Sequence, residues 1–94
     1  MRDDAELQAL RAEIDQANRD LRDALQRRAR LVQAIARRKR ALGLPLVDPA
    51  REQAMLAELL QDPGEGFARA ELGRVLGLLL EHYRDLCVRT GSAP

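Results

Sequence analysis

A chain of 94 residues makes one small domain at most, and so small a core calls for support from a disulfide, a metal or a partner subunit. Cys87 is the only cysteine and His82 the only histidine, which excludes an intrachain disulfide and leaves no zinc-ligand spacing, so a partner subunit is what remains. The net charge is only +1, no apolar run approaches membrane-spanning length, and the acidic opening Met1-Arg2-Asp3-Asp4-Ala5-Glu6 is unlike a signal peptide; the expectation is a soluble cytoplasmic protein that uses no metal.

Ala, Leu, Arg and Glu dominate, β-branched residues are scarce, and Phe67 and Tyr83 are the only aromatics. That mix predicts an all-α chain. From Leu7 the apolar residues run Leu10, Ile14, Ala17, Leu21, Leu25, Leu31, Val32, Ile35 and Leu42, with no Gly or Pro before Gly43. The spacing predicts one helix over about residues 5–42, roughly 55 Å long, against a domain only about 30 Å across. Such a helix overhangs its own fold, and its apolar stripe asks for a second copy of the chain.

Gly43-Leu44-Pro45 breaks the helix. Asp48-Pro49 opens another, with Asp48 as N-cap and Pro49 at the first helical position, running to about residue 61 and carrying Met55, Leu56, Leu59 and Leu60. After Asp62-Pro63-Gly64-Glu65-Gly66, a third helix is predicted over about residues 68–89. Its stripe is Leu72, Val75, Leu76, Leu79, Leu80, Tyr83, Leu86 and Cys87, and residues 90–94 read as a frayed tail. The whole of 1–94 reads as one domain without internal repeats.

Charge is uneven along this plan. Between Asp23 and Asp48 there is no acid, while Arg27, Arg28, Arg30, Arg37, Arg38, Lys39 and Arg40 give a local charge of +7. Such a stretch is either a solvated face or an invitation to an anionic partner. At about 100° per residue, Arg28 and Lys39 fall in the middle of the apolar stripe, and Arg11 on its edge. Arg27, Arg30, Arg37 and Arg38 point away. A cation aimed at a core is costly unless paired. Either Arg28 and Lys39 meet an internal acid such as Glu52 or Glu58, or they enter a pocket for a ligand with several negative groups. Arg51 adds to the second reading, because a cation in a first turn opposes the helix dipole.

Leu10-Arg11-Ala12-Glu13-Ile14-Asp15, Arg27-Arg28-Ala29-Arg30-Leu31-Val32, Lys39, and Asp48-Pro49-Ala50-Arg51-Glu52 together resemble the all-helical chorismate mutases. The likeness covers about residues 5 to 60, and the Arg-Glu pair after Asp-Pro is its most specific part. Asp62-Pro63-Gly64-Glu65-Gly66-Phe67 is further similar to mutase domains fused to the enzyme that opens the shikimate pathway. The resemblance implies an intertwined six-helix homodimer, three helices per chain, with two sites shared between subunits. It implies rearrangement of the dianion chorismate to prephenate, for phenylalanine and tyrosine synthesis, without any cofactor. Arg11 from the partner chain and Arg28 would hold the carboxylates, with Arg51 nearby. Lys39 would donate to the ether oxygen, and Asp48 (through its backbone) and Glu52 would hold the ring hydroxyl.

On the third helix the family usually offers a small residue and, four positions later, Gln or Glu beside the ether oxygen. A one-residue gap puts Tyr83 and Cys87 there; without it the positions are Arg84 and Val88. Periodicity favours Tyr83 and Cys87, with Cys87 either a weak donor in the site or a small apolar core residue. Rival readings are a mutase of 4-amino-4-deoxychorismate, an isochorismate-pyruvate lyase, and a low-activity or regulatory family member. Association with a separate shikimate-pathway enzyme stays open. A nucleic-acid-binding dimer would use the outward arginines but leaves Arg28 and Lys39 without a purpose, so no nucleic-acid or membrane partner is expected.

Overall fold

A computed structural model describes residues 4–92; the first three residues, and Ala93 and Pro94 of the expected tail, lie outside the described residues. The chain is all-helical, with α1 (Ala5–Leu42), α2 (Pro49–Gln61) and α3 (Arg69–Ser92), and no strand occurs among the described residues. None of the described helices is long and apolar enough to cross a membrane. The chain divides into two compact units, Met1–Arg30 and Leu31–Pro94, the boundary falling inside α1.

In the first unit Asp4 opens α1. Its Oδ1 accepts from the backbone N–H of Glu6 at 2.7 Å and of Leu7 at 3.3 Å, satisfying donors that a helix start leaves without partners. Gln16 links Arg19 and Asp20 through two side-chain hydrogen bonds of 2.9 Å each, the three-and-four spacing at which helix side chains meet. The apolar side is open: Leu7, Leu10, Ile14 and Leu21 are 43–61% exposed.

In the second unit α1 ends in a Schellman motif. Gly43 takes φ 68°, its N–H donates to Arg40 O at 3.1 Å, and the Leu44 N–H donates to Lys39 O at 2.8 Å. Asp48 caps α2 by accepting from the Arg51 N–H at 3.1 Å, with Pro49 in the first turn. Helices α2 and α3 pack on one another, closely enough at Gly73 that a Cβ there would lie 3.2 Å from Leu60 Cδ1.

The expected tail is corrected by the structure. Thr90, Gly91 and Ser92 are the last turn of α3, and Gly91 is buried because the side chain of Leu46 rests on it. A Cβ on Gly91 would come within 2.7 Å of Leu46 Cδ1 and closer still to Cδ2. A glycine of the expected tail is here the seat of a leucine. Among the described residues, the buried apolar side chains are Ala36 and Cys87 alone; Ile35, Leu42, Leu59 and Leu78 stay more than half exposed.

The Leu46 contact makes a test. Gly91→Ala should lower the unfolding free energy by about 1–3 kcal/mol through overpacking. In a Leu46→Ala background the same change should cost much less, because the obstructing atoms are gone. Urea titrations of the four proteins give both numbers; equal costs in the two backgrounds would refute the contact.

Candidate active site

Lys39 sits in the last turn of α1, and the Schellman motif that ends this helix folds the following loop back beneath it. The half-buried Lys39 thereby reaches Leu46, seven residues ahead, and its Nζ donates to the Leu46 carbonyl at 3.2 Å. Cys87 Sγ, from α3, donates to the same oxygen at 3.4 Å across 41 residues of sequence. The two side chains converge on one acceptor from different helices. An ammonium has three donors, so this bond leaves Lys39 with two for other partners.

Asp48 and Arg51 stand exposed at the start of α2. The Asp48 carboxylate is committed to the cap, and its carbonyl accepts the Glu52 N–H at 3.1 Å. Lys39 and Asp48 line a common cleft of about 380 Å³, walled by Leu44, Pro45, Val47 and Pro49. That size suits a small organic ligand.

One turn further along α2, Glu52 is half-buried and held in a fork by Arg84. Nη2 of Arg84 donates to Oε2 at 3.0 Å and Nε to Oε1 at 3.4 Å. The hydrogen bonds it donates to Glu52, and then the charge of that carboxylate, raise the Arg84 guanidinium above the ordinary arginine value; burial opposes this, and the charges of Glu81 and Asp85 raise it further. A guanidinium raised in this way stays charged throughout the working range and would lose its share of the pairing only above its usual titration. The internal salt bridge considered between Glu52 and Lys39 is therefore corrected: the acid faces Arg84, and the lysine faces a carbonyl. Beside this pair runs a groove of about 470 Å³ whose walls include Leu56, Leu78, Leu80 and Glu81.

Lys39, Asp48, Arg51, Glu52, Tyr83 and Cys87 all belong to the second unit, and Arg11 and Arg28 to the first. There Arg11 is exposed and Arg28 half-buried, with its Nη1 shielded from solvent. Of the two registers for α3, the Tyr83 and Cys87 pair has one half-buried and one buried member, whereas Arg84 and Val88 are both exposed. Arg84 nevertheless reaches Glu52, and Leu46 reaches Lys39 through its backbone. Neither contact stands out in sequence, because Arg84 is one of several arginines on α3 and every residue carries a carbonyl.

The model of the family described as chorismate mutase type II matches residues 10–87. The chain belongs to this family. Within the chorismate mutase match lie all eight candidate residues, from Arg11 to Cys87. The chain is similar to the chorismate mutase (form II) of Thermus thermophilus, with a TM-score of 0.84 and 38% identity over 89% of this chain and 96% of that one. It is also 45% identical over 53 residues to the T-protein of Enterobacter agglomerans, a stretch that is 56% of this chain and 14% of that protein. The chain thus spans only a small part of that curated relative.

The contacts of Lys39 yield an expected outcome for stability. Lys39→Met keeps the aliphatic stem and removes one hydrogen bond to a carbonyl that Cys87 still serves. The loss should be about 1 kcal/mol, against roughly 3–5 kcal/mol for breaking a buried salt bridge. Thermal unfolding separates these values, and a loss in the upper range would contradict the observed geometry.

Proposed function

We propose that the chain is a chorismate mutase that converts chorismate to prephenate, acting as an intertwined homodimer. Family membership over residues 10–87 is the observation that carries this reading. The placement of Lys39, with ammonium hydrogens to spare, beside the Asp48 cleft supports it.

A Claisen rearrangement breaks one C–O bond and forms one C–C bond in a single pericyclic step. No nucleophile, proton carrier or redox group is needed. The protein has two tasks: to hold the enolpyruvyl arm over the ring, and to stabilise negative charge growing on the ether oxygen. Guanidinium forks suit the two carboxylates, the roles proposed for Arg28 and for the partner subunit's Arg11, with Arg51 as a further cation. Lys39 faces the ether oxygen, its orientation already set by Leu46. Cys87, whose single S–H is given to the Leu46 carbonyl, lies on the same side, and Tyr83 borders the site one turn earlier. Asp48, through its backbone, and Glu52 take the ring hydroxyl.

What one chain leaves uncovered supports the proposed dimer. Leu7, Leu10, Ile14, Leu21, Leu31 and Ile35 are all at least 43% exposed along α1, a stripe whose burial is worth roughly 1.5–3 kcal/mol per large side chain. A second α1 presents the same stripe and is the self-complementary cover that a two-fold dimer needs. The free thiol of Cys87 fits a reducing, cytoplasmic setting.

Loss of chorismate absorbance on adding purified protein tests the activity. Arg28→Ala and Lys39→Ala should each reduce turnover by about a hundredfold or more while the protein stays folded. A wild-type protein that leaves chorismate unchanged defeats the reading. Light scattering should return about twice the chain mass, with dissociation and unfolding occurring together; an active, folded monomer would contradict the shared site.

A further inference from the structure

Arg84 is the cation that the proposed reaction has not used, and its fork on Glu52 joins α3 to α2 across 32 residues. We propose that Arg84 is a positioning residue: it holds the Glu52 carboxylate at a fixed angle and offsets its charge, so that this acid can receive the ring hydroxyl of a dianionic substrate. The inference rests on the chorismate mutase reading and deepens it.

Three observations carry it. The first is geometric. A carboxylate has about four lone-pair sites, and a two-armed guanidinium occupies two of them. Oε1 and Oε2 of Glu52 are each met once by Arg84, so acceptor capacity remains for a hydroxyl while rotation of the carboxylate is stopped.

The second concerns charge. Glu52 would lie beside a substrate carrying two negative charges, and a bare carboxylate there would oppose binding. Arg84 brings a full positive charge to 3.0 Å from it. A neutralised acid can accept a hydroxyl proton without repelling the carboxylates of the same molecule.

The third is the pair's small structural value. The side chains of Arg84 and Glu52 are 44% and 25% exposed, and ion pairs so open to water contribute little to folding. Glu81 and Asp85 are acids near Arg84 on its own helix that also act on it electrostatically, yet the fork closes on the acid of α2. A contact of little worth to the fold, on an acid proposed to touch substrate, points to the substrate.

The test is kinetic, with chorismate as the probe. Arg84→Gln should raise KM roughly tenfold with a smaller effect on kcat, as expected for a lost binding interaction, and should barely move the melting temperature. Arg84→Lys, which keeps the charge and loses the fork, should fall between the two; it also serves as the measured variant if the glutamine protein does not fold. Glu52→Gln removes the charge to be offset, so adding Arg84→Gln to it should change KM little. A merely structural Arg84 would not show that dependence on Glu52. An unchanged KM in both Arg84 variants, or equal KM effects with and without Glu52→Gln, overturns the proposal and leaves the mutase reading intact. A wild-type protein without turnover overturns the mutase reading, and this proposal with it.

Discussion

The second unit is organised around the residue Leu46. Its carbonyl accepts both the Lys39 ammonium and the Cys87 thiol, while its side chain lies on the bare backbone of Gly91. One loop residue thus ties the end of α1 to the end of α3. A lysine on a long flexible stem would ordinarily sample many rotamers and lose that freedom on binding. Here the cost of ordering is met by folding, before any substrate arrives. This is the preorganisation on which the proposed rearrangement, with no covalent intermediate on the protein, depends.

A second constraint is the thinness of the core. Ala36 and Cys87 are the only buried apolar side chains among the described residues, although the sequence is 46% hydrophobic. The apolar surface has been sorted onto helix stripes rather than enclosed. A proposed homodimer answers this at the level of energetics, and it has a chemical corollary. If the site takes a cation from each chain, as proposed for Arg11 and Arg28, assembly and substrate binding are one equilibrium and not two.

How much was legible in the sequence depended on the range of the interaction involved. The ends of α1 and the start of α2 were legible because their signals are local: Gly43 for the left-handed turn, Asp48 and Pro49 for the cap. Lys39 was legible as a candidate because a cation on an apolar stripe conflicts with its surroundings within a single helix. Residues 90–92 were read as part of a frayed tail because nothing local in them signals the turn they form. Gly91 is a packing surface only through a leucine 45 positions earlier. The Leu46 carbonyl was invisible, since every residue carries one. The Arg84–Glu52 fork needed the packing of α2 on α3, which periodicity does not supply; both arginine and glutamate looked solvated or substrate-bound from their own helices.

The seating of Leu46 on Gly91 also bears on motion. The end of a helix opens more readily than its middle, and Gly91 lies in the last turn of α3, four residues beyond Cys87. When that turn frays, Leu46 loses its support, and the oxygen that orients Lys39 is released with it. The ordering of the ammonium is then capped by the free energy of opening a single terminal turn.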